Sequence, residues 1–147
     1  MKLGSGFTNQ AVAGASLSVA VQDVFDEVNA ELTLSETGGS ITSTAAEQNL
    51  FVINNPLGVI RPVVCKVDLD LMAAADTHVF RVYYRIVTGG AWEPTDFYTY
   101  TGVDGGLANG LKVVEFPLTP TRFGVSITIQ RTAGADHVFA WEYLGES

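Results

Sequence analysis

Between residues 41 and 144 the chain alternates apolar and polar side chains in short runs. A two-residue period of this kind suits β-strands with one buried and one wet face. In residues 63–71, Val63, Cys65, Val67, Leu69 and Leu71 take one side, while Val64, Lys66, Asp68 and Asp70 take the other. The next run sets Phe80, Val82, Tyr84 and Ile86 against Arg81, Tyr83 and Arg85, and the series Phe123, Val125, Ile127, Ile129 repeats the pattern. Strands are expected over residues 41–44, 49–54, 61–71, 78–88, 96–101, 112–117, 123–132 and 137–144, separated by turns rich in Gly, Pro and Asp. About eight short strands predict an all-β fold, an antiparallel β-sandwich of jelly-roll-like kind. No βαβ unit can be placed, which disfavours a nucleotide-binding parallel sheet. The segments 54–58, 102–106 and 132–136 read as hairpin loops. Gly102-Val103-Asp104-Gly105-Gly106 lacks the Lys-Ser/Thr ending of a phosphate loop.

Upstream the period changes. Leu17, Val21, Val24, Phe25, Val28 and Leu32 form one helical stripe, with Asp23, Asp26, Glu27 and Glu31 on the other side. This predicts one short helix over about residues 17–34, capped by Ser16 or Ser18 and ended by a turn at Gly38-Gly39, with a strand at 31–34 as the competing assignment. The acidic residues at 23, 27 and 31 repel at four-residue spacing by a few tenths of a kcal/mol per pair, so packing of the apolar stripe must hold the helix. Residues 1–16 form an N-terminal arm with no core of its own, and Leu3, Phe7 and Val12 are its candidate interface anchors. The arm either packs on its own domain or reaches a neighbouring subunit. The remainder, residues 17–147, reads as a single sandwich domain that includes the helix.

The 147 residues carry a net charge of −8, with 16% charged and 47% hydrophobic side chains. The negative charge opposes binding to free nucleic acid. Soluble domains average about 25% charged residues, and a surface this sparse in charge suits burial in an oligomer or lattice. No stretch approaches the roughly 18–20 uninterrupted apolar residues of a membrane-spanning helix, so no membrane partner is expected. Ala11-Val12-Ala13 has the small-residue pattern of a secretion-signal cleavage site. Polar and glycine residues from Gly4 to Gln10 interrupt the apolar centre such a signal needs, and none is expected.

Reactive residues are few: one cysteine, two histidines and eight basic side chains. Cys65 lies among Val64 and Val67 and reads as a small buried hydrophobe. His78 and His137 each follow an Asp-bearing turn, in Asp76-Thr77-His78 and Asp136-His137. They leave a zinc ion short of two ligands, and no metal or cofactor is expected. Asp68 and Asp70, two apart on one strand, would stand about 7 Å apart on one face. Pairing with Arg81 or Arg85 on a neighbouring strand explains them better than glycoside hydrolysis, and no catalytic residue is assigned. The strongest functional signal is aromatic. Trp92, Phe97, Tyr98 and Tyr100 follow one another in and after the loop Thr88-Gly89-Gly90-Ala91-Trp92-Glu93-Pro94. Trp92, Tyr98 and Tyr100 are the candidate residues for a loop that faces a ligand or partner, stacking on a glycan or anchoring a protein contact. Trp92 folded back over the sandwich end is the competing arrangement, while Trp141 and Tyr143 belong to the core.

From Val21 to Tyr143 the chain resembles small β-sandwich virion proteins of tailed bacterial and archaeal viruses. The carrying segments are residues 22–33, Val82-Tyr83-Tyr84-Arg85-Ile86, Arg122-Phe123-Gly124-Val125 and Arg131-Thr132-Ala133-Gly134. The resemblance implies a non-enzymatic, capsid-associated decoration or cement-type subunit. It would be a homo-oligomer, with a trimer favoured, partnered with other capsid proteins in a virion assembled in the host cytoplasm. A carbohydrate- or receptor-binding module using the loop aromatics is the alternative.

Overall fold

The computed structural model describes residues 34–54, 58–103 and 106–146. The arm with Leu3, Phe7 and Val12, and the expected helix up to residue 33, lie outside the described residues. Among the described residues there are nine strands: β1 Leu34–Thr42, β2 Gln48–Asn54, β3 Arg61–Asp68, β4 Thr77–Tyr84, β5 Glu93–Val103, β6 Gly106–Leu107, β7 Val113–Pro117, β8 Gly124–Ala133 and β9 Val138–Glu146. They form two antiparallel sheets, ordered β1-β9-β3-β7 and β2-β8-β4-β5-β6. Only β4–β5 and β5–β6 join strands within one sheet; every other connection crosses to the opposite sheet, the wound connectivity of a jelly roll.

The inner faces supply the core. Cys65, Val67 and Leu69 from β3 and its exit, Phe80 and Val82 from β4, and Val125, Ile127 and Ile129 from β8 are almost wholly buried. Phe116 of β7 links the layers, with its ring 4.9 Å from Phe80 and 5.3 Å from Tyr98. Phe51 stacks on Tyr143 at 4.2 Å, while Trp141 packs against the same core, as the sequence predicts. Burial pushes the Cys65 thiol up to about 12, with Glu142 adding to the effect, consistent with a small hydrophobe.

Several expectations change. Gly38-Gly39 is no turn; it lies inside β1, opposite Glu142 and Trp141, and Leu34 already belongs to that strand. A Cβ on Gly38 would lie 2.8 Å from the Trp141 carbonyl oxygen, so the strand needs glycine there for close approach. Segments 54–58 and 132–136 are not hairpins, because β2 and β3, like β8 and β9, sit in different sheets. The β3 alternation fails at both ends: Val63 is exposed beside a register shift, and Leu71 lies in the turn beyond the strand.

Candidate functional site

The outer face of the second sheet gathers the aromatic and polar side chains with free surface. A bulge in β5 makes it. Val82 pairs with Asp96 but Tyr83 with Pro94, which leaves Thr95 extra and reverses the facing of every residue before it. Thr95 Oγ1 donates to the Val82 carbonyl at 3.1 Å and fixes the bulge. Trp92 therefore comes to the same outer side as Phe97, although the two differ in parity. Tyr98 and Tyr100 face inward, where Tyr98 meets Phe116 and Tyr100 meets Phe80 at 5.8 Å. The structure thus divides the predicted aromatic trio. Trp92 is a surface residue, and Tyr98 and Tyr100 support the core. Trp92 does fold back: Arg85 covers its ring at 4.2 Å, and a Cβ on Gly124 would lie 2.9 Å from its Cη2.

Glu47, just before β2, organises this face. It accepts hydrogen bonds from Tyr83 Oη at 2.8 Å and Thr128 Oγ1 at 2.5 Å, and it pairs with Arg81 at 3.2 Å. Burial alone would raise its pKa, but the Thr128 and Tyr83 bonds and the Arg81 charge outweigh it and hold the carboxyl low. Arg81 also donates to Gln130 and lies over the Phe97 ring, and Arg85 bonds to Asn54. Two hollows result, sharing Tyr83 as the ridge between them. One of about 280 Å³ lies among Glu47, Asn49, Tyr83, Trp92, Ser126 and Thr128. The other, of about 350 Å³, is lined by Arg81, Tyr83 and the segment 94–97.

A second cluster lies inside one end of the sandwich. Asp76, 1% exposed, accepts from the backbone N–H of Ala73 at 2.6 Å and Ala135 at 2.9 Å, and from His137 Nε2 at 2.5 Å. Burial works against its charge, yet these donors keep its pKa below the ordinary value. His78 is fully buried, shares a hydrogen bond with Ser43 Oγ at 2.9 Å, and has no partner for Nδ1. Burial takes its pKa down to about 4; Asp76 and Asp136 favour the charged ring, whereas His137 and Arg131 oppose it. Ser43 Oγ accepts from His137 N–H at 3.1 Å. Serine, histidine and aspartate thus do meet, which spacing alone does not reveal. They make no triad: Asp76 binds His137 instead of His78 Nδ1, and Ser43 is out of reach of a substrate. The cluster ties the β1–β2, β3–β4 and β8–β9 connections together.

Asp68 and Asp70 are not a strand-borne pair. β3 stops at Asp68, whose Oδ1 accepts from Asp70 N–H at 3.0 Å in a turn. Their expected partners Arg81 and Arg85 belong to the other sheet, while Lys66 pairs with Glu142 at 3.3 Å. Among the described residues no group of three or more His, Cys, Asp or Glu side chains is arranged to hold a metal ion.

No protein-family model and no curated protein matches this chain. Solved structures do. A chain from the acid-stable capsid structure of Helicobacter pylori bacteriophage KHP30 aligns at 11% identity and a TM-score of 0.52, covering 78% of this chain and 88% of that one. A chain from the capsid of cyanophage Pam1 aligns at 17% identity and a TM-score of 0.45, over 78% and 84% of the two chains. A chain from the disulfide-linked pili of Bacillus endospore appendages aligns at 15% identity and a TM-score of 0.48, over 78% and 87%. The KHP30 likeness shows a shared fold.

Proposed function

We propose that this chain is a non-enzymatic virion structural protein, a capsid-associated subunit of the decoration or cement type. It works through contacts with copies of itself, as a trimer, and with other capsid proteins in a particle assembled in the host cytoplasm. The observation that supports this is the fold held in common with a phage capsid chain. Fold alone admits many functions, and a second feature weighs in the same direction. Val59, Ile86 and Val87 are 67%, 73% and 60% exposed in the connections at one end of the sandwich, an apolar surface suited to contact with another protein. Light scattering coupled to size exclusion tests the self-association, with a trimer expected and a persistent monomer counting against it. Immunogold labelling of purified particles tests the location, and unlabelled particles would overturn it.

A further inference from the structure

The two hollows on the outer face of the second sheet form one extended site, and we infer that it binds a neutral oligosaccharide. One sugar ring would sit between Trp92 and Tyr83, and the next between Tyr83 and Phe97. The inference is independent of the virion proposal.

Three observations carry it. First, the spacing of aromatics: Tyr83 borders both hollows, Trp92 closes one and Phe97 the other. Apolar ring faces set along a groove suit the C–H faces of successive pyranose rings. Phe97 is 63% exposed even with Arg81 over its ring.

Second, the groups between the aromatics are those a sugar hydroxyl needs. Asn49 Oδ1 accepts a long 3.4 Å bond from Ser126 Oγ, and its amide N–H groups donate to none of the described residues. Thr128 Oγ1 spends its proton on Glu47 and keeps lone pairs for an incoming hydroxyl. Glu47 itself is held in place by three partners, so the polar floor is organised before a ligand arrives.

Third, no unpaired cation is among the described residues lining the hollows. Glu47 pairs with Arg81, and Arg85 is engaged by Asn54 and the Trp92 ring. Among the described residues that line the two hollows Arg81 is the one cation, it is paired with Glu47, and Asp96 in the second hollow would repel a phosphate or a sugar carboxylate. The ligand is therefore uncharged, and an extended pair of shallow hollows fits a chain of sugars better than one compact molecule.

The test is saturation-transfer NMR on the full chain, with a panel of neutral mono- to tetrasaccharides built from glucose, galactose, mannose and N-acetylglucosamine. Sialylated counterparts serve as the charged arm. At least one neutral series should bind, with tetrasaccharide tighter than monosaccharide. Trp92→Ala should weaken it by about tenfold. Because Trp92 also packs on Gly124, Asn49→Ala is the second variant, expected to weaken binding several-fold while the fold, read by amide NMR, is unchanged. Val138→Ser, on the opposite sheet, should bind normally. No binding across the panel, preference for the sialylated series, or binding that survives both Trp92→Ala and Asn49→Ala would each overturn the inference.

Discussion

Single residues here are constrained by what crosses over them. Gly134 adopts φ +81°, and a Cβ there would fall 1.9 Å from Asp76 Oδ1, on the oxygen that accepts from Ala135. Gly134→Ala should therefore cost about 2–4 kcal/mol, combining backbone strain with loss of a buried charge-assisted bond, read as a lower denaturant midpoint. Phe116 occupies the centre of an aromatic group that includes Phe80, Tyr98 and Tyr100. Phe116→Ala should destabilise by about 3–5 kcal/mol, because a rigid two-sheet core collapses poorly around the cavity.
His78 gives the pH dependence. Its folded pKa of about 4 lies below the ordinary 6.5, so the unfolded chain takes up the proton first. The contribution is complete above pH 6.5 and is lost as pH falls through 4, on the order of 2–3 kcal/mol. Urea titrations at pH 7 and pH 4.5 should show the loss, and His78→Phe should flatten it over that window.

At the level of strands, the connection between β1 and β2 matters most, because Glu47 reaches from it to both β4 and β8. Glu47→Ala leaves Arg81, Tyr83 and Thr128 without their shared acceptor and should cost about 1–2 kcal/mol, measured by chemical denaturation. Strand positions were legible from the alternation because one face of each strand is buried, and burial is what a two-residue period records. Sheet membership was not legible: the segment after β2 crosses between sheets, yet Asn54-Asn55-Pro56-Leu57-Gly58 has the composition of a hairpin turn. Gly38-Gly39 misleads for a related reason, since its glycines answer to Trp141 on a strand a hundred residues away. The candidate site was half legible. Trp92 stands out by its glycine and proline neighbours, but the extra residue at Thr95 separates it from Tyr98 and Tyr100, and no local signal marks that bulge. Tyr83 and Glu47 carry no local sequence signal, because their importance comes only from meeting across strands.

For the whole molecule, winding dominates. β9 lies between β1 and β3, and β8 between β2 and β4, so each sheet depends on pairings between distant parts of the sequence. Refolding should accordingly be slow for a domain of this size, in the millisecond-to-second range by stopped-flow fluorescence of Trp92 and Trp141. The same winding bears on synthesis. Until Glu146 clears the ribosome, β3 has an empty neighbour on one side, and Cys65 lacks Tyr143 beside it in the sheet. A nascent chain of this design stays open until β9 emerges, and the gap exposes apolar surface to aggregation during translation.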